Sequence, residues 1–300
     1  MDTLVTNGTL LTMRGDRLGI VDDGSIAVDD GRISDVGPAS DGPDPNDADE
    51  VIDAAGGVVM PGLVNAHTHM SHTLLRGGAQ DVPEIEWMNR ALGPLAAHAD
   101  GVDRVAGARL GVLEAVRAGA TTVCEYADAV GTLVEEVYQP LGIGVVAVET
   151  INEVPDQRDD LGPRELYPFD REQGEEALAR ADRLFDDFGD DPLVTPAYGP
   201  QALDMVSPEL LETVQAHAHE RDAKLHLHTA QGEREAIQIE ERYGSEESTV
   251  SVLDDLGIVD DSLVAVHCHG ATPDERRRLA EGGAAMLGCP SSISAIDGIV

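Results

Sequence analysis

Six of the ten histidines in this 300-residue chain form His-x-His pairs: His67/His69, His226/His228 and His267/His269. A strand turns residues i and i+2 to the same face, so each pair would aim two imidazoles one way. Neutral imidazole is a common ligand of Zn²⁺ and also suits iron or nickel. One such pair alone reads equally well as packed core histidine. Three pairs, each at the end of an apolar strand-like run, argue for a metal centre. His217 and His219 share the spacing but lie in 208–221, a helical pattern, where two residues stand about 200° apart. They cannot hold one ion together and are expected to face solvent. His72 and His98 are isolated and are not expected to be ligands. Cys268, between two histidines, is turned by alternation to the opposite face as a packed thiol.

The strands that must carry these pairs are apolar runs at 58–69, 121–127, 143–151, 193–201, 224–231, 263–270 and 284–291. Helical patterns lie between them. Residues 102–118 are Ala/Leu-rich and stop at Gly119, Ser207-Pro208 opens a helix as N-cap and first turn, and Thr272-Pro273-Asp274-Glu275 forms a capping box. Repeated strand-then-helix predicts a parallel sheet with helices outside, and in a barrel the C-terminal strand ends converge on one mouth. No Gly-x-Gly-x-x-Gly or Walker loop follows the first strand, which disfavours a nucleotide-binding sheet.

Ahead of these units, Leu4-Val5-Thr6, Leu10-Leu11-Thr12, Ser25-Ile26-Ala27-Val28, Ile33-Ser34-Asp35-Val36 and Val51-Ile52-Asp53 read as short strands. Asp30-Gly31 reads as a hairpin turn, Asn7-Gly8-Thr9 as another turn, and 37–50 as a loop. We therefore expect residues 1–57 to be part of a small β-sandwich. Residues 58–300 should form a (β/α)₈ TIM-type barrel lacking its last strand unit, since only seven units can be counted.

The run Met60-Pro61-Gly62-Leu63-Val64-Asn65-Ala66-His67-Thr68-His69 resembles the signature of the metal-dependent amidohydrolase superfamily. Thr73-Leu74-Leu75-Arg76-Gly77, with Glu86-Trp87 after it, is similar to the branch of adenosylhomocysteine and cytosine-type deaminases and s-triazine hydrolases. The resemblance extends over essentially the whole chain. It implies that His67, His69 and His228 bind one divalent ion, zinc first and iron as the other candidate. It also implies that His267 contacts the activated water or the substrate. His226 and His269 receive no role from it. In such enzymes the ion lowers the pKa of bound water so that hydroxide attacks an amidine-like carbon. A glutamate three residues past the third ligand then moves the proton.

Five features depart from that pattern. Gln231 stands where the glutamate belongs, and an amide cannot deliver a proton. Aligning on His226 instead puts Thr229 there. No Gly-Thr-Asp-Gly-like motif supplies the aspartate of an eighth strand, and Gly288 replaces a histidine before Cys289-Pro290. Ala96 takes the place of a ribose-reading glutamate after Trp87, and Gly199-Pro200-Gln201 that of Gly-Pro-His. We expect His267 to move the proton, Gln231 to orient substrate, and Trp87 and Gln201 to contact it. The reading is hydrolysis of a non-peptide C–N bond, the deamination of a small heterocyclic amine. The alternatives are a catalytically impaired or truncated relative that binds metal or a partner, and a triazine-type chlorohydrolase. The resemblance also implies a homo-oligomer.

Charge narrows the setting. Acidic residues outnumber basic ones 57 to 20, a formal net charge of −37. That argues against nucleic-acid binding, which requires a basic face, and against docking on anionic membranes. The 42% hydrophobic content is enough to fold. Three scattered cysteines suggest a reduced compartment, and neither a signal peptide nor a ~20-residue apolar span is present, so a cytoplasmic protein is expected. Lys224 is the only lysine. So acidic and lysine-poor a surface reads as halophilic, because screening shortens its self-repulsion. Thermal melts should therefore show a midpoint that rises from low to molar KCl; a midpoint indifferent to salt contradicts this reading.

Overall fold

The computed structural model describes residues 1–15, 17–79, 82, 86–155, 161–162 and 164–297, the last three as backbone only. Its contacts divide the chain into two compact units, Met1–Leu63 and Val64–Val300.

The first unit is one small sheet of β1 (Thr3–Leu11), β2 (Ile20–Asp29), β3 (Arg32–Pro38), β4 (Glu50–Asp53) and β5 (Val58–Val59). Its order is β3-β2-β1-β4, with β5 also on β1. Asp30 and Gly31, at φ 49° and 69°, make the expected turn between β2 and β3. Asn7-Gly8 does not turn the chain: β1 runs through it with a bulge, Asn7 at φ 57° and the register shifting on either side of Gly8. A side chain at position 8 would meet Val59 Cγ2 at 2.9 Å, so glycine is what allows β5 to lie alongside. The run 58–69, read as one strand, is two, because Pro61 and Gly62 interrupt it.

The second unit continues with β6 (Leu63–Thr68), α1 (Gly101–Arg117), β7 (Ala120–Ala127), β8 (Gly144–Ile151), α2 (Arg171–Phe188), β9 (Val194–Pro200), α3 (Pro208–Glu220), β10 (Leu225–Thr229), α4 (Glu233–Tyr243), α5 (Thr249–Asp255), β11 (Leu263–His267), α6 (Pro273–Gly282), β12 (Ala285–Leu287) and α7 (Pro290–Asp297). The seven strands lie side by side in sequence order. The ladders from β7 to β12 are parallel. The sheet curls, since His67 of β6 and His228 of β10, four strands apart, meet with ring centroids 4.9 Å apart. The result is an open, TIM-type barrel. Among the described residues no ladder joins β12 to β6, and Val64 and Met286 on these outer strands are exposed.

Helix boundaries follow local chemistry. Ser207 and Thr272 cap α3 and α6, Thr272 in a full capping box with Glu275. A box on Asp100 starts α1, and Gly119 at φ 93° follows its end. His217 and His219 diverge on α3 as expected, one to Asp182 at 3.1 Å and the other to Asp260 at 2.8 Å. Several strands are shorter than their apolar runs. β11 stops where His267 and Cys268 adopt φ 76° and 51°. β12 gives way to α7 with Pro290 as its first residue, so 288–291 is not strand. No helix among the described residues is long and apolar enough to cross a membrane.

One buried acid holds the segment that follows β6. Glu125 accepts hydrogen bonds from Met70 N at 3.0 Å, Ser71 N at 3.1 Å and the Tyr138 hydroxyl at 2.8 Å. Burial pushes its carboxyl up to about 7, and these bonds pull it back. Gly107 lets α1 close onto the same segment, for a side chain there would meet Ser71 O at 2.5 Å. Glu125→Ala would leave two main-chain N–H groups buried without an acceptor, a cost of at least about 2 kcal/mol. Urea denaturation should show that loss, whereas Glu114→Ala, which removes the exposed partner of Arg76, should leave the midpoint in place.

Candidate metal centre and active-site cavity

At the C-terminal ends of the strands lies a cavity of about 710 Å³, within the range that holds small organic ligands. His67, His69, His228 and His267 line it, with Trp87, Gln201 and Gln231. Every residue proposed from sequence for the site therefore borders one space.

His67 projects from β6 and His228 from β10, while His69 sits one residue past the end of β6. These three offer ligand atoms that all lie within 4.8 Å of one another. His69 Nδ1 lies 2.8 Å from the carbonyl of Tyr126, and His228 Nδ1 lies 2.7 Å from that of Gln201. A carbonyl can only accept, so each Nδ1 carries the proton and each Nε2 keeps its lone pair for a metal. His67 differs: both of its ring nitrogens are buried without a hydrogen-bond partner among the described residues. Leaving such groups unpaired is costly, and a cation would satisfy one of them. On that observation the residues fit a divalent ion, and their imidazole donor set suits zinc.

Electrostatics keeps these rings neutral. Desolvation, and secondarily the neighbouring imidazoles, lower His69 and His228 to about 3 and drive His67 further down. Desolvation likewise lowers His267 and His226 to about 4. Neutral imidazole is the form that ligates.

The other predicted residues take distinct places. Trp87 lies in a π-helical turn, Trp87–Leu92, and donates its indole N–H to Ala79 O at 3.1 Å. Gln201 follows β9 and holds His228 through its main chain, while its side-chain oxygen accepts from Asn152 at 2.6 Å. The main-chain N–H of Gln231 is bound by Glu235 at 2.6 Å. His226 lies deeper, its Nδ1 3.6 Å from Cys124 Sγ, and does not line the cavity. His269 does not line it either, because the chain turns at His267 and Cys268. Cys268 packs in the core, as expected, with Sγ 3.4 Å from Ala265 O.

Several contributors were not anticipated. His72, read as isolated, lines the cavity with its ring 5.9 Å from that of His69. Tyr126 packs 4.7 Å from the His228 ring and donates its hydroxyl to Gly199 O at 2.5 Å. Alternation along 121–127 could have revealed Tyr126, since it shares a face with Cys124. The orienting carbonyls have no side-chain signature to find. Cys289 joins His67 and His267 in a second group of donors with ligand atoms within 4.8 Å of one another. On the far wall, Arg234 pairs with the buried Asp204 at 2.6 Å and lies 5.1 Å over the Tyr167 ring. Asp128 is the one carboxylate residue among the described residues that line the cavity, and it lies 3.9 Å from Arg104.

Residues 58–298 match the pattern of the Amidohydrolase family. The chain is 32% identical over 285 residues to a 5′-deoxyadenosine deaminase of Methanosarcina mazei, which covers 94% of this chain and 61% of that protein. It is 35% identical over 279 residues to a 5-methylthioadenosine/S-adenosylhomocysteine deaminase of Halobacterium salinarum, 91% of this chain and 59% of that one. The chain thus spans about three fifths of the length of these curated relatives. Its fold also matches the zinc-bound crystal structure of an adenosine deaminase from Xanthomonas campestris, with a TM-score of 0.86 and 29% identity over 99% of this chain and 64% of that one.

Proposed function

The chain belongs to the amidohydrolase family, and we propose from that premise that it carries the metal and substrate sites of a deaminase acting on an adenosine derivative. The observation that carries this reading is the preset group of His67, His69 and His228, two of them held by main-chain carbonyls with Nε2 free. The relatives at 32% and 35% identity are deaminases of adenosine derivatives, which favours that substrate class over a triazine. Zinc is the ion we assign to the three imidazoles. A zinc ion held there would supply Lewis-acid activation of water at neutral pH.

The chain's own residues do the rest. Tyr126 and Gln201 fix the tautomers of His69 and His228. Trp87 gives the heterocycle an apolar wall, with Ala96 beside it in the lining. Gln231 offers an amide that can hydrogen-bond the ring but cannot pass a proton to it. His267, a titratable group at the same mouth, is left to take the proton from the attacking water and return it to the leaving amine.

One observation favours a second reading, a metal-binding protein with impaired catalysis. Neither a glutamate at position 231 nor any lining carboxylate residue besides Asp128 is present among the described residues. Both readings share the metal site, and two experiments separate them. Elemental analysis after dialysis should find zinc in the protein and none in the His67→Ala, His69→Ala double variant; equal metal in both removes the assignment. Ammonia release from 5′-deoxyadenosine should be slow and should rise in Gln231→Glu by a large part of the ~10²–10⁴ that a general acid–base supplies. Fast deamination that Gln231→Glu does not improve would show that the proton takes another route. A zinc-loaded protein that releases no ammonia in either form supports the impaired reading.

A further inference from the structure

The three cysteines differ in their surroundings. Cys124 is buried against His226, and Cys268 is packed in the core. Cys289 is only partly buried and borders the cavity. Its place follows from the fold: β12 ends at Leu287, Pro290 opens α7, and Cys289 lies in the link between them, where the strand ends converge.

That thiol does not stand alone. Its sulfur and one nitrogen each of His67 and His267 lie within 4.8 Å of one another. His267 is only 7% exposed, and its Nδ1 is buried without a hydrogen-bond partner among the described residues. His67, with both nitrogens in the same condition, belongs to this group and also to the group with His69 and His228. His67 is thus shared between two groups of donors. One holds the imidazoles of His69 and His228. The other holds Cys289 and His267.

We propose that Cys289 is a metal ligand: its thiolate binds the same ion as His67 and gives the centre a mixed nitrogen–sulfur donor set. This rests on the metal reading above and adds a donor to it. The binding step balances simply. The Cys289 S–H bond breaks, its proton passes to buffer, and a sulfur–metal bond forms with no change of oxidation state. Thiolate is a soft ligand, so the added sulfur favours zinc over harder ions.

X-ray absorption at the zinc edge of the zinc-loaded protein tests this. A sulfur shell at about 2.3 Å should accompany the nitrogens at about 2.0–2.1 Å. In Cys289→Ser the sulfur shell should be lost while zinc is retained. A wild-type spectrum with nitrogen and oxygen alone overturns the proposal and leaves the histidine site standing, as does a sulfur shell that survives in Cys289→Ser. Failure of the wild-type protein to bind zinc overturns both. Should Cys289→Ser not fold, alkylation of the wild-type protein decides the matter. Iodoacetamide should modify Cys289 after chelation, and zinc should abolish that modification. Equal modification with and without zinc overturns the proposal.

Discussion

Two main-chain carbonyls, those of Tyr126 and Gln201, accept hydrogen bonds from Nδ1 of His69 and His228 at 2.8 and 2.7 Å and leave both Nε2 lone pairs available to one ion. The rest of the centre depends on that constraint. A free imidazole can carry its proton on either nitrogen and rotate about two bonds. Here each ring has a fixed tautomer and direction before any ligand arrives. The carbonyls stand where they do because β7 and β9 end at the same mouth as β6 and β10. Glu125, on β7 itself, ties the segment after His69 to the strand that bears Tyr126. Packing and hydrogen bonding therefore act together with desolvation, which favours the neutral form of these imidazoles.

Much of this could be read from residue types and spacing. The helix caps at Ser207 and Thr272 and the Asp30-Gly31 hairpin are local signals with their expected structural result, whereas of the three His-x-His pairs only His67/His69 brings both rings to the cavity. The failures are local conflicts settled by tertiary pairing. Asn7-Gly8 has turn chemistry, yet β2 and β5 pair on either side of it and make it a bulge. Apolar runs overestimate strand length wherever the backbone must leave the sheet, as at His267-Cys268 and at Gly288. Equal spacing also hides unequal depth. His226 and His228 point the same way, but one lies against Cys124 below the cavity and the other at its floor. His72 looked isolated because the link between it and His69 is a 3₁₀ segment, which stacks their rings without a strand or α-helical period. Main-chain acceptors leave no mark in a sequence.

The chemistry of the site is unbalanced in a telling way. It is rich in imidazole and poor in carboxylate, with an amide at position 231. Ion binding and proton transfer are usually divided between these two kinds of group. The geometry supports holding a metal, while the amide of Gln231 leaves proton transfer to another group.

Anomalous diffraction at the zinc edge, from crystals grown with zinc, tests the central claim most directly. One strong peak is expected about 2.0–2.1 Å from Nε2 of both His69 and His228 and from one nitrogen of His67. A peak on the Nδ1 side of either ring, or a peak confined to surface acids such as Asp182 and Asp260 with the cavity empty, would contradict it.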